Sequence, residues 1–477
     1  MPGPPRSSLA FTTRAGLGAA IDSMVTTPAF RTAQWGILII DPIAGDTLYT
    51  RNAAKLFIPA SNQKLVTSSV MLERLGPEYR FRTTIGARGA IIDGALNGDL
   101  AVIGHGDPTA SNHMQTDAMI PLRAMADSLW QRGVRRVTGD IVAAGDAFPG
   151  PVAGYGWPWD GLDGASFAGV DELLFNEGLI AITVRAGTRA GDPPTIETAP
   201  AKTYPTVRVE AQTVAAGSPA ASGRARLSAF HDTATSLVVI RGTIAAGDSA
   251  TLTLAQHDPD AAYLAALGEA LRDRGITVQH LSPAASPASP QRIDTLFTMR
   301  SVPLRDILPN ILKPSQNQIA EVFLRTLGLE GTGVGTADSG RRVIERQFAD
   351  WKIPADAFVV RDGSGLSRND LISPEAIVDI LDVMRRSPNF NVFYESLPIA
   401  GVDGTIRTRM RNTAAQGNLH AKTGTLSMVR SLSGYVRTAD ARLLEFSILC
   451  NNWTVAQAEV DRVADAIGAA LAGMRLR

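Results

Sequence analysis

Ser61-Asn62-Gln63-Lys64, Ser315-Gln316-Asn317 and Lys422-Thr423-Gly424-Thr425 are the stretches on which the reading of this 477-residue chain turns. In the first, a spacing of three puts a serine and a lysine on one face of a helix, so the amine can reach the hydroxyl. A free lysine is protonated at neutral pH and cannot serve as a base. The pair therefore requires a lowered lysine pKa, and both the helix N-terminus and a second cation, Lys422, push that way. A serine activated by an adjacent base is the general pattern of covalent catalysis. Lysine is rare here: only positions 55, 64, 202, 313, 352 and 422 carry it. Lys64 alone has a serine three residues before it, and Lys422 alone is followed by Thr-Gly.

The other two stretches supply what an acyl transfer needs beyond a nucleophile. The Ser315 hydroxyl can relay a proton to a departing amine, and the Asn317 amide can bind a substrate backbone. Two further Ser-x-Asn matches, Ser367-Arg368-Asn369 and Ser387-Pro388-Asn389, read as a turn and a helix end. Lys422 offers a positive charge, and Gly424 allows a substrate strand to approach the backbone closely. The N–H groups of Ser61 and Thr425 would make an oxyanion hole. Each stretch also has a plain structural reading when taken singly, as a surface helix, a helix cap or a strand start. Their order and the use of two of the six lysines argue for the chemical one.

Around these stretches the texture changes twice. Residues 13–25 read as a helix, and Trp35–Asp41 and Thr47–Thr50 as a hairpin. Ser61 starts a helix carrying Leu65, Val66, Leu72 and Leu75. From 79 to 296 short strands and Gly/Asp turns dominate, with helices near 117–132 and 258–273, an Ala/Gly/Ser-rich stretch at 213–228 and a connector at Pro283–Pro290. Glu172–Asn176 reads as a strand entering Ile180–Val184. Helices then return. Ile319, Val322, Phe323, Thr326 and Leu327 share a face that Gly328 ends, and 374–386 is amphipathic. Three strands near 419–426, 430–437 and 442–450 precede a last helix capped by Thr454. The expected fold class is α/β (α+β). Residues 1–78 and 297–477 would form one discontinuous domain sharing an antiparallel sheet flanked by helices, and 79–296 an insert of two smaller nested β-rich domains.

Bulk numbers exclude several classes. Hydrophobic residues make up 45% and charged residues 19%, ordinary for a globular protein. Lys+Arg and Asp+Glu are both 46, so no net charge draws the chain to nucleic acid or an anionic membrane. No segment approaches the ~20 apolar residues that span a bilayer. The first residues, Met1-Pro-Gly-Pro-Pro-Arg, lack a secretory apolar run; the motifs favour a mature terminus outside the cytoplasm over a cytoplasmic protein. The single cysteine, Cys450, alternates with Leu444, Phe446 and Ile448 and reads as a buried structural thiol. The six histidines show no metal-ligand spacing, so no metal or cofactor is expected.

With these motifs in hand, the chain resembles the D-Ala-D-Ala carboxypeptidase/endopeptidases, the class C low-molecular-mass penicillin-binding proteins. Gly98-Asp99-Leu100 with Gly106-Asp107-Pro108, Val137–Ile141, Gly156-Trp157-Pro158-Trp159-Asp160, Asp362–Arg368 and Gly404-Thr405-Ile406 extend the likeness over most of the chain. The resemblance implies a serine transpeptidase/β-lactamase-like domain with two further domains between the first and second motifs. It also implies cleavage of a terminal D-Ala, or of D-alanyl cross-links, in peptidoglycan outside the cytoplasmic membrane, with β-lactams acylating the same serine. Ser61, Lys64, Ser315, Asn317 and Lys422 would be catalytic. Thr423, Gly424, Thr425 and Arg368 would bind substrate, although Arg368 reads equally as a brace for the Asp362–Ser367 turn. Two positions depart from the family pattern: His105 often has glycine there, and Ala144, with Asp146 nearby, stands where relatives carry an aspartate that helps recognise the free amino end of the substrate side chain. Two alternatives accompany this reading. One is a β-lactamase, since Glu172–Asn176 has the E-x-x-x-N spacing of a deacylating loop. The other is a non-catalytic wall-binding scaffold.

Overall fold

A computed structural model describes residues 13–202, 204–219, 226–232, 237–279 and 292–476. The connector expected at Pro283–Pro290 and part of the Ala/Gly/Ser-rich stretch lie outside the described residues. The chain divides into two compact units. The first comprises the described residues of Met1–Tyr79, Gly154–Gly156 and Pro303–Arg477, and the second Arg80–Ala153 and Trp157–Val302.

The first unit is built on one five-stranded antiparallel sheet. Its order is His420–Leu426, Val429–Arg437, Leu443–Asn451, Gln34–Asp41, Asp46–Arg51. Residues 34–51 and 420–451 thus share one sheet. Leu444, Phe446, Ile448 and Cys450 alternate onto one face, where period-two geometry puts them. They pack with Leu17, Ile21 and Val25 of helix Arg14–Val25 and with Val460, Ile467 and Leu471 of helix Gln457–Gly473. Helix Pro374–Arg386 covers the other face through Val378 on Leu38 and a 2.7 Å bond from the Tyr435 hydroxyl to the Leu381 carbonyl. Helix Gln63–Leu75 packs against both Pro374–Arg386 and Asn317–Thr332. It is buried without a break from Gln63 to Leu72.

Several boundaries differ from expectation. The last helix begins at Gln457, with Ala456 rather than Thr454 at its cap and no side-chain cap bond. Helix Asn317–Thr332 runs past Gly328 and stops at Gly333, whose φ of +81° suits a left-handed cap. Gly328 lies inside the helix for a packing reason: a Cβ there would sit 2.8 Å from the Gly340 N atom of the neighbouring helix Ala337–Asp350.

Among the described residues, the second unit holds two apolar cores. Strands Arg82–Ile92 and Ala95–Ile103 centre a six-stranded sheet, over which helices Ile120–Gln131 and Pro259–Arg274 pack. Strands Leu179–Arg185, Thr195–Ala199, Ser249–Ala255 and Leu237–Arg241 surround the other core of Ile180, Ile182, Val238 and Ile240. Strand Asp294–Arg300 pairs with Arg82–Ile92, so this unit extends beyond the expected limit at 296. The strand expected at Glu172–Asn176 is irregular, with one bridge from Leu173 to Asp107 before strand Leu179–Arg185. Asn176 and Glu177 have φ of +48° and +56°, outside the extended region a strand needs.

Candidate active site

Ser61 sits not on the α-helix but in a single 3₁₀ turn, Ala60–Asn62, that feeds it. Ala60 has φ +47°, an unfavourable left-handed conformation for a residue with a Cβ. The surroundings hold the turn in place. The Ser431 hydroxyl donates to the Pro59 carbonyl at 2.8 Å, and the Asn62 amide donates to Ser433 Oγ at 2.7 Å. Gly365 backs directly onto Ala60: a Cβ on Gly365 would fall 1.8 Å from the Ala60 oxygen. Neither Ser431 nor Ser433 stands out in the sequence, because serine at alternate strand positions is common and only the pairing of Gln34–Asp41 with Leu443–Asn451 and the adjoining strands sets which face they present.

Lys64 is fully buried. Its Nζ lies 2.8 Å from Ser61 Oγ, 2.7 Å from Asn317 Oδ1 and 2.7 Å from the Ser364 carbonyl oxygen. Burial lowers its pKa to about 7, while Asp362, Glu321 and Asp370 pull the other way. Desolvation is the largest cause of the lowering, and the repulsion between Lys64 and Lys422 expected from sequence is present as well. Lys422 is also fully buried, and its Nζ donates to Ser315 Oγ and the Thr423 carbonyl, each at 2.8 Å. Burial first, and Lys64 second, hold its pKa well below the usual lysine value.

Ser315 has φ +67° and does not cap the helix that follows; Gln316 does, accepting the Ile319 N–H at 3.2 Å. Thr423 is buried and donates to Thr405 Oγ1 at 2.6 Å. Thr425 is exposed and its hydroxyl accepts from Arg430. Gly424 also makes room for the protein itself. A Cβ there would lie 2.6 Å from the Pro59 oxygen and 2.9 Å from the Ser61 nitrogen, so the close approach it permits is to the serine turn itself. Gly424→Ala is expected to push Ser61 off its partners and lower activity by roughly 10²-fold, the scale of an ångström-sized misplacement, measured as turnover against the parent protein. Arg368 is exposed and donates to the Ser427 carbonyl at 2.9 Å. The Asp362–Ser367 turn is braced instead by Asp362, which accepts the Gly365 and Ser367 N–H groups, both at 2.6 Å.

Sequence reasoning missed the carboxyl groups under the lysine. Glu321, one helical turn beyond Asn317, is buried and accepts the Gly363 and Ser364 N–H groups at 3.0 and 2.8 Å. It thereby orients the Ser364 carbonyl that grips Lys64. An acid at position 321, inside the apolar run from Ile319 to Leu327, was the available signal.

Among the described residues one group has metal-ligand donors in proximity: Asp163, His231 and His257, with atoms within 4.8 Å of one another. The two imidazoles stack at 3.8 Å with planes 23° apart. An ion lying in both ring planes would require the rings to turn apart. No described helix is long and apolar enough to cross a membrane.

The fold is shared with penicillin binding protein 4 (dacB) from Haemophilus influenzae, at a TM-score of 0.78 and 23% identity over 94% of this chain and 97% of that one. The same protein complexed with a β-lactam superposes with a TM-score of 0.74. In sequence, the D-alanyl-D-alanine carboxypeptidase of Actinomadura sp. (strain R39) is 33% identical over 445 residues, 90% of this chain and 80% of that protein. The D-alanyl-D-alanine carboxypeptidase DacB of Haemophilus influenzae is 26% identical over 422 residues, 86% of this chain and 83% of that one. The family model for D-Ala-D-Ala carboxypeptidase 3 (S13) matches residues 17–473. The chain belongs to that family, and it is a peptidase.

Proposed function

We propose that this protein is a serine-type D-alanyl-D-alanine carboxypeptidase and endopeptidase, acting outside the cytoplasmic membrane on peptidoglycan peptides through an acyl-serine intermediate. The observation that carries the reading is the fully buried Lys64 amine 2.8 Å from Ser61 Oγ. A neutral amine has two N–H groups and one lone pair. Asn317 Oδ1 and the Ser364 carbonyl are acceptors only, and each is 2.7 Å from Nζ. They take the two N–H groups, which leaves the lone pair for the Ser61 proton.

Ser61 Oγ then attacks the carbonyl of the penultimate D-Ala, and Lys64 receives its proton. The Ser61 and Thr425 N–H groups stabilise the oxyanion. Ser315, bonded to Lys422, passes a proton to the leaving amine as the C–N bond breaks, and the proton taken up by Lys64 replaces it, so both groups return to their starting state. Lys422 and Thr423 attract the terminal carboxylate of the substrate, with Arg368 at the exposed margin. Water attacks the acyl-serine, releasing the shortened peptide and regenerating Ser61. β-Lactams enter by the same attack and leave a ring-opened acyl group on the serine. The names of the relatives, carboxypeptidases of the same family, support this substrate class.

Mass spectrometry after incubation with benzylpenicillin tests the reading. One adduct on the tryptic peptide containing Ser61, together with D-Ala release from a peptide ending in D-Ala-D-Ala, is the expected result. Absence of an adduct favours a wall-binding scaffold, and penicillin turnover faster than D-Ala release favours a β-lactamase.

A further inference from the structure

Beneath Lys64 lies a pair of carboxyl groups that the chemistry above does not use. Asp362 and Asp370 are 1% and 0% exposed. Each Asp362 oxygen already accepts a backbone N–H, from Gly365 and from Ser367. Asp370 Oδ1 accepts the N–H of Arg361 at 2.5 Å and of Asp362 at 3.3 Å. Its other oxygen, Oδ2, is buried with no donor to satisfy it. The bond from the Asp362 N–H brings the Asp370 side chain against residue 362, so the two carboxyl groups are neighbours. Two ionised carboxylates have no proton to share and repel. One proton resolves both difficulties, because it satisfies the orphaned oxygen and turns the repulsion into a bond.

We infer that Asp370 is a neutral carboxylic acid donating from Oδ2 to Asp362, and that this bond holds the Asp362–Ser367 loop so that the Ser364 carbonyl meets Lys64 Nζ. The inference rests on Lys64 being the base. Burial and the neighbouring Asp362 raise the Asp370 pKa well above the usual carboxylate range, in agreement with the geometry. The charge balance around the lysine supports it too. Lys64 feels the negative charges of Asp362, Glu321 and Asp370 and the positive charge of Lys422, and Arg325 acts on Glu321. Burial and Asp362 also raise Glu321, to about 7. An ionised Asp370 would add a further negative charge and favour the ammonium form of Lys64, which has no lone pair for Ser61. Asp370 is thus a positioning residue that keeps the base both oriented and neutral.

The test uses the full-length protein and benzylpenicillin as probe. Asp370→Asn keeps the shape, and its amide donates where the acid did. Its acylation rate should stay within about twofold of the parent, and the acid limb of its pH profile should not move. Asp370→Ala should lose about tenfold or more, because Asp362 and the loop lose a buried donor. A difference infrared spectrum at neutral pH, parent minus Asp370→Asn, should show the carbonyl stretch of a protonated carboxyl; other buried acids cancel. The inference is overturned if Asp370→Asn loses as much rate as Asp370→Ala or fails to fold, if Asp370→Ala loses nothing, or if the difference band is that of a carboxylate. Failure of the parent protein to acylate at all would instead refute the function proposed above, so the two failures are distinguishable.

Discussion

Ser61→Ala is expected to remove penicillin labelling and D-Ala release together. The serine is held by a strained turn, with Ala60 at φ +47° and Gly365 pressed against its carbonyl. Among the described residues, Lys64 Nζ is bonded to no hydroxyl other than Ser61 Oγ. Removing the nucleophile of a serine hydrolase costs on the order of 10⁶-fold in turnover, and a residual rate persists only through binding and the oxyanion site. Little else should change. Ser61 is half-buried, and its loss leaves the Asn62–Ser433 and Ser431–Pro59 bonds intact. Gel fluorescence with a labelled penicillin and a D-Ala release assay, with thermal unfolding as the control, measure all three. Labelling that survives in the variant, at any residue, would remove Ser61 from the mechanism.

Lys64→Met should be nearly as damaging to activity, with a loss on the order of 10²–10⁴-fold for a missing general base. It should also leave a signature in stability. The amine titrates at about 7 when folded, against an ordinary 10.5. Between those values the unfolded chain binds a proton that the folded chain does not, so the stability of the parent rises with pH in that window. The methionine variant lacks this dependence. Denaturant titrations at a series of pH values should therefore show the parent gaining on the variant by about 1.4 kcal/mol per pH unit from 7 toward 10.5, and no further change below 7. The same ionisation governs rate: acylation by the parent should fall as the pH drops through about 7, because the protonated amine has no lone pair. A difference in stability that is flat with pH would mean that Lys64 keeps its proton on folding, and the base would have to be sought elsewhere.

The carboxyl groups give the site a consistent logic. A buried lysine left alone would lose its proton too readily and would have no fixed orientation. Glu321 and Asp362 oppose the desolvation and, through backbone N–H groups, shape the loop that grips it. Evolution commonly spends stability in this way at reaction centres, since unfavourable backbone and buried charge persist only where surrounding contacts enforce them.

How much of this could be read from the chain alone depended on the range of the interaction. Local and periodic information carried the strands 420–426, 429–437 and 443–451, the helices around 14–25 and 374–386, and the pairing of Ser61 with Lys64, because each rests on neighbours a few residues apart. Motif order carried the rest of the site, bringing Ser315, Asn317 and Lys422 into view although hundreds of residues separate them from Ser61. Helix ends at Gly328 and Thr454 were misread because packing against Ala337–Asp350 and the local cap geometry outweighed composition. What only the tertiary structure decided was electrostatic and steric. It decided that desolvation lowers the lysine, that Gly424 makes room for the serine turn rather than for substrate alone, and that the charges of Glu321, Asp362 and Asp370 act on Nζ. Burial and close approach depend on what the rest of the chain brings near a residue, and no spacing within the sequence encodes them directly.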